Sequence, residues 1–196
     1  KDRLSIRTFV SPFNEALIRE AILQEIKRGG QVYFIHNKVQ SIYQMADLLT
    51  RLVPEAKIGV GHGQMDEDAL EAVMVAFVKH DINVLLATTI VESGLDVSAA
   101  NTIIINRADA LGLAQLYQLR GRVGRSNVRA YAYLLTPADR ELSVEAKARL
   151  SVIQRYTDLG SGFKIAAHDM ELRGVGNFLG EAQSGHVAAV GYEMYT

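Results

Sequence analysis

The feature that most constrains this chain is the alternation of short β-branched runs with stretches of helical period. Runs at 32–35, 84–88, 102–105 and 131–135 have strand length and are rich in Val, Ile, Thr and aromatic residues, with a shorter one at 57–60. Between them the spacing predicts helices. The first opens at Ser11-Pro12 as N-cap and first residue, carries Leu17, Ile18, Ala21, Ile22 and Ile26, and stops at Gly29-Gly30. A second covers 39–52. A third covers 66–78, where Leu70, Val73, Met74 and Phe77 recur at i, i+3, i+4 and i+7 on one face. Strands that alternate with helices imply right-handed crossovers and a parallel sheet covered on both faces. Ligands are then expected at the carboxyl ends of the strands.

Strand signals end at Thr136-Pro137. A charged helix follows with Leu150 and Ile153 on one side, then Gly160-Ser161-Gly162, then a helical stretch from Phe163 to Leu172. This reads as a helical hairpin leading into a Gly-rich loop. The expected organisation is an α/β domain at 1–137 and a hairpin with its loop at 138–196, with no flexible linker between them. The opening Lys1-Asp2-Arg3 lacks an initiator Met or leader pattern and reads as the start of a piece of a longer protein.

Composition narrows the function by exclusion. With 48% hydrophobic and 22% charged residues, the chain is unlike disordered sequences. No apolar run approaches the ~20 residues that span a bilayer, so no membrane partner is expected. The absence of cysteine excludes disulfides and thiolate metal sites and fits a reducing compartment, so a cytoplasmic location is expected and no metal site in this chain. A net charge of -1 gives no global attraction to nucleic acid. Any such contact must come from locally placed side chains and backbone amides.

The most informative stretch is Gln118-Leu119-Arg120-Gly121-Arg122-Val123-Gly124-Arg125. Guanidinium groups are permanently charged forks that match phosphate oxygens, and interleaved glycines let the backbone turn tightly enough to aim several at one point. A solvated basic turn is the alternative. The Q-x-x-G-R-x-G-R pattern resembles motif VI of the second large helicase superfamily. By that resemblance Arg122 and Arg125 reach across a cleft to ATP phosphates and stabilise transition-state charge, with Gln118 also on the nucleotide side.

Upstream, Ala87-Thr88-Thr89-Ile90-Val91-Glu92-Ser93-Gly94-Leu95-Asp96 begins at a strand end and is similar to motif V of the same superfamily. The resemblance implies that Thr88 or Thr89 touches a DNA phosphate, while Gly94 and Asp96 link the DNA and nucleotide sides. A hydroxyl or amide at a strand end is a plausible phosphate donor in any family. The segment Gly61-His62-Gly63-Gln64-Met65 resembles the turn in these lobes whose backbone meets the DNA backbone. His62 between two glycines reads as a turn residue rather than a catalyst.

The segment from Asp169 to Gly185 is too Gly-rich for a long regular helix, and Arg173, Gln183 and Ser184 give it polar handles. It resembles the translocation motif shared by the transcription-repair coupling factors and the RecG fork-remodelling helicases, in which Arg173 and Gln183 match the residues expected to carry coupling. The short strand in Gly30-Gln31-Val32-Tyr33-Phe34-Ile35-His36-Asn37, passing straight to the next helix, favours the coupling factors, because RecG-like chains carry an insertion there. Ser93 and Leu95 stand where that family commonly has Thr and Ile, a mild departure.

The resemblance covers nearly the whole chain. It implies a RecA-like second helicase lobe followed by the hairpin and loop, working with a first lobe of the same protein on double-stranded DNA. ATP with Mg²⁺ is the implied cofactor, held mostly by that first lobe. RNA polymerase and excision-repair proteins are the implied partners through other domains, and the implied activity removes stalled polymerase from damaged DNA. A RecG-type lobe and a catalytically idle RecA-like interaction module are the alternatives. No Lys follows a Gly, so there is no G-x-x-x-x-G-K-[ST] stretch, and no apolar strand ends in an Asp-Glu pair. Gly174-Val175-Gly176 has its next glycine one place too late for a dinucleotide fingerprint.

Overall fold

A computed structural model describes residues 6–88 and 97–155. Six strands, β1 (Arg7–Pro12), β2 (Gln31–Ile35), β3 (Ile58–Gly61), β4 (Val84–Ala87), β5 (Ala100–Ile105) and β6 (Tyr131–Thr136), form one sheet in the order β1-β6-β5-β2-β4-β3. Every neighbouring pair is parallel. The five α-helices are α1 (Glu15–Lys27), α2 (Ile42–Leu52), α3 (Glu67–Val78), α4 (Leu113–Arg120) and α5 (Val144–Arg155).

The period of two along each strand sorts the helices onto two faces. Val32, Phe34, Val84, Leu86, Ile104 and Leu135 point to one side and pack with Ile18, Ala21 and Ile22 of α1 and Ile42 and Leu49 of α2. On the other side Ile35, Ile103, Ile105, Ala132 and Leu134 meet Leu113, Leu116 and Leu119 of α4 and Leu150, Val152 and Ile153 of α5. Met74 and Phe77 of α3 cover Leu85 and Ala87 on that same side. Helix α5 is therefore part of the sheet's own core, with Leu150 and Ile153 fully buried as their spacing predicts.

Two expectations are corrected. Ser11 and Pro12 do not open a helix; they close β1, which runs in register with β6 from Arg7 opposite Tyr131 to Pro12 opposite Thr136. Edge position makes Pro12 tolerable, since an edge strand has no neighbour on one side to miss its absent N–H. Asn14 supplies the cap of α1 instead, its Oδ1 accepting the Leu17 N–H at 3.1 Å. The second helix is also shorter than expected, because 39–41 form a separate 3₁₀ turn before α2. The predicted stop after α1 stands where expected: Gly29 adopts φ 82°, a left-handed turn that glycine takes without strain. Among the described residues no helix is long and apolar enough to cross a membrane.

Candidate functional site

Strands β5, β2, β4 and β3 lie side by side, so the residues that follow them form one terrace at their carboxyl ends. The Asn106 N–H donates to Ile35 O (2.9 Å), His36 N–H to Ala87 O (2.8 Å) and Thr88 N–H to Gly61 O (3.4 Å). This stitching fixes where each side chain leaves the sheet. His36, nearly buried, takes the Asn106 side-chain amide on Nδ1 (3.0 Å) and contacts Ser41 Oγ through Nε2 (2.8 Å). An amide nitrogen can only donate, so the His36 proton sits on Nε2 and goes to Ser41. Burial, with Lys38 nearby, holds this imidazole below its ordinary protonation range.

The turn after β3 is organised by its own histidine. His62 is 7% exposed; its Nδ1 accepts the Gln64 N–H (3.2 Å) and its Nε2 meets Tyr43 Oη (3.2 Å). The Tyr43 ring stands edge-on, with centroids 5.7 Å apart and planes at 88°. The His62 N–H lies 3.3 Å from Met65 Sδ, and the Met65 N–H donates to His62 O at 3.2 Å. Gly63 is exposed, and no hydrogen bond engages its amide among the described residues. Thr88 is 2% exposed, and among the described residues its Oγ1 has no hydrogen-bond partner. Gly61, His62, Gly63 and Thr88 are thus brought together, as the sequence pattern expects, whereas Thr89, Gly94 and Asp96 lie outside the described residues. His36, Ser41, Tyr43 and Asn106 complete the terrace without having been singled out as site residues.

The arginine segment lies elsewhere, contrary to the expectation that all ligand groups gather at the carboxyl ends. Helix α4 ends at Arg120, and Gly124, at φ 80°, packs against Ile6 and Ala130, the residues just before β1 and β6. That is the amino end of the sheet. The left-handed φ favours glycine, and a side chain at 124 would also press on Ile6 Cγ1 at 3.0 Å.

Nor do the three arginines act alike. Arg120 is 1% exposed, donates from Nη1 to the Ile153 carbonyl of α5 (2.9 Å) and lies over the Tyr117 ring at 5.7 Å. It holds helices α4 and α5 together. Arg149 adds to this joint by donating to Leu111 O (3.1 Å) and Asp109 O (2.8 Å). Arg125 is exposed, and its Nε donates to Gly121 O at 3.2 Å. Arg122 is half-buried, and no side-chain hydrogen bond or ion pair among the described residues engages its guanidinium. Gln118 is exposed on the same segment. An arginine held close to the surface by a rigid turn with its fork unengaged fits phosphate oxygens. Among the described residues no group of three or more His, Cys, Asp or Glu could hold a metal ion. Arg173 and Gln183 lie outside the described residues.

Comparison with known proteins identifies the family and the fold. The model of the helicase conserved C-terminal domain matches residues 14–127. The transcription-repair-coupling factor of Myxococcus xanthus is 56% identical over 195 residues, covering 100% of this chain and 16% of that protein. That of Escherichia coli is 53% identical over 193 residues, covering 98% and 17%. The chain thus spans about a sixth of the length of these relatives. Among solved structures, RecG bound to a three-way DNA junction superposes with a TM-score of 0.75 at 32% identity, over 98% of this chain and 26% of that one. The C-terminal domain of the DEAD-box protein Dbp5 gives 0.54 at 17% identity, over 78% of this chain and 85% of that one, which shows the fold alone.

Proposed function

The chain belongs to the helicase conserved C-terminal domain family, and from that premise we propose that it is the second motor lobe of an ATP-driven double-stranded DNA translocase that removes stalled RNA polymerase from damaged DNA and couples transcription to nucleotide excision repair. The observation that carries this reading is the placement of two donor sets at opposite ends of one sheet: the arginine segment at the amino end and the His62–Gly63 turn with Thr88 at the carboxyl end. A motor lobe needs such a division, because one face must complete a nucleotide cleft while another grips the track.

In this reading Arg122 and Arg125, with Gln118, face the γ-phosphate across a cleft closed by a first lobe, and Gly94 and Asp96 belong to the connection between the two faces. The arginines stabilise the charge that develops as the phosphoryl group transfers. Mg²⁺, if bound as the family implies, neutralises phosphate charge and is held mainly by first-lobe residues. Gly61, His62, Gly63 and Thr88 or Thr89 grip phosphates of one DNA strand, which gives affinity without sequence preference. Arg173 and Gln183 carry coupling between ATP turnover and movement. RNA polymerase and the excision-repair proteins bind through other parts of the protein. The identity to coupling factors, 56% against 32% to RecG, favours this assignment over a fork-remodelling helicase lobe.

The test is made on the protein at its full natural length, with triplex displacement and ATP hydrolysis measured side by side. Wild type should displace a triplex at the expense of ATP, while Arg173→Ala and Gln183→Ala, each confirmed to be folded, should retain much of the hydrolysis and lose displacement. A wild-type protein that neither hydrolyses ATP on DNA nor displaces a triplex would sink the motor reading. Mutants that move at the wild-type rate per ATP would remove the coupling role alone.

A further inference from the structure

Tyr43 stands in the first turn of α2 with 55% of its surface exposed, one of few large aromatic side chains so placed among the described residues. Its hydroxyl nevertheless has a fixed partner, Nε2 of the nearly buried His62. Which of the two donates follows from the other side of the ring. The Gln64 amide donates to Nδ1, so Nδ1 carries no proton and the neutral imidazole carries its proton on Nε2. That proton goes to the Tyr43 oxygen. The tyrosine's own hydroxyl proton is then left over, and the acceptor bond that fixes its oxygen restricts where the proton can point.

A hydroxyl on an exposed side chain that already accepts a protein hydrogen bond still has its own proton to donate. It lies against the turn whose Gly63 amide is also a donor without an internal partner among the described residues. Among the described residues no carboxylate hydrogen-bonds or ion-pairs with Tyr43 or His62. A tyrosine hydroxyl set beside a turn with an unengaged amide suits an anionic oxygen, and along a nucleic-acid backbone that oxygen belongs to a phosphate. We propose that Tyr43 is a further DNA-backbone contact of this lobe, its hydroxyl aimed at a phosphate oxygen by His62. The proposal rests on the reading of the carboxyl-end terrace as the DNA-gripping face. No sequence signal marks Tyr43, since it falls eighteen residues before the Gly61 turn and only the fold brings the two together.

Tyr43→Phe in the full-length protein tests it, because phenylalanine keeps the ring against His62 and removes only the hydroxyl. Duplex binding is measured with unmodified DNA and with duplexes carrying a single neutral methylphosphonate at each position in turn. The variant should bind unmodified duplex about 10-fold more weakly, as for loss of one hydrogen bond to a charged group. At one position the methylphosphonate penalty paid by wild type should vanish in the variant. Binding within about twofold of wild type overturns the proposal, since a lost phosphate bond costs more than that. So does weaker binding with every methylphosphonate penalty unchanged, the pattern of a tyrosine that merely steadies His62. Wild-type protein that fails to bind duplex at all would overturn the motor reading itself, which separates the two failures.

Discussion

The two ends of the sheet differ in what their polar side chains hold together. At the amino end Gln31 donates to Phe77 O (2.7 Å) and Ile82 O (2.8 Å), and Asn83 Oδ1 accepts the Lys57 N–H (2.7 Å). Glu25, 2% exposed, takes two bonds from Arg28 (2.7 and 2.8 Å) and one from the Thr102 hydroxyl, and Arg28 also donates to Arg129 O (2.6 Å). These groups tie loops to strands. At the carboxyl end His36, Asn106 and Ser41 are likewise bonded to one another, but Thr88 Oγ1 and the amide of the exposed Gly63 have no hydrogen-bond partner among the described residues. Buried side-chain atoms without a partner occur near the amino end as well, in Thr8, Gln31 and Asn101, and each costs stability. Thr88 differs in lying next to the turn that carries the exposed Gly63, since its N–H donates to Gly61 O. The arginine segment repeats the contrast within six residues, with Arg120 turned inward to α5 and Arg122 left with its fork unengaged among the described residues.

The sharpest way to break that comparison is to remove Arg122 or Arg125. In the full-length protein either change to Ala should cut ATP turnover by about 10²-fold or more with nucleotide binding largely kept, as for groups that act on transition-state charge. Lys should not rescue fully, since it lacks the planar fork. Steady-state hydrolysis and nucleotide titration check this, and unchanged turnover in both variants would return the segment to a basic turn. Arg120→Ala should do the reverse. Loss of a buried guanidinium and of its bond to Ile153 should lower stability by about 2 to 3 kcal/mol. Denaturant unfolding reads that loss directly. Equal destabilisation by Arg122→Ala and Arg120→Ala would erase the distinction between inward and outward arginines.

A smaller effect, with a diagnostic sign, is expected at Thr88. Valine has the same shape without the buried, unpartnered hydroxyl, so Thr88→Val should leave stability unchanged or raise it slightly. Duplex affinity should nevertheless fall by roughly 10-fold if the hydroxyl is waiting for a phosphate. Calorimetry with DNA titration separates the two readouts. A variant that is less stable and binds as well as wild type would make Thr88 a structural residue like Gln31.

Most of the fold was legible in the sequence because a parallel sheet buries both faces, and the resulting apolar runs at β2, β4, β5 and β6 are unambiguous. The edge strand β1 was not legible: Arg7, Phe9 and Pro12 are exposed at the sheet margin, and the alternation there is broken by a Ser-Pro pair that also fits a helix start. The position of Gly61, His62, Gly63 and Thr88 at the carboxyl end of the sheet could be read because they are contiguous with strand ends. Tyr43, Ser41 and Asn106 could not, because their partners are 19, 5 and 70 residues away in the chain and are joined to them only by folding. The inward turn of Arg120 was equally hidden, as it depends on where α5 docks.

The last expected effect is the smallest and concerns pH at the carboxyl end. His36 is held neutral by burial first and by Lys38 second, so its protonation range in the folded chain lies below that of the unfolded chain. The groups that face it are the Asn106 amide and the Ser41 hydroxyl, neither of which titrates. Near and below pH 6.5 the unfolded state therefore binds more protons at this position than the folded state does, and the sign of the linkage follows. The stability His36 contributes is fully present above that pH and is lost as pH falls through the folded-state range. Replacing it with Gln, which can still engage Ser41 or Asn106, should remove this dependence while costing some stability at neutral pH. The measurement is the melting midpoint of wild type and His36→Gln from pH 8 down to pH 5, compared as a difference so that His62, His80 and the carboxylates cancel. The gap between the two proteins should narrow as the pH is lowered. A constant gap would mean that His36 is no more sensitive to protonation than the Gln31 and Asn83 amides at the opposite end of the sheet.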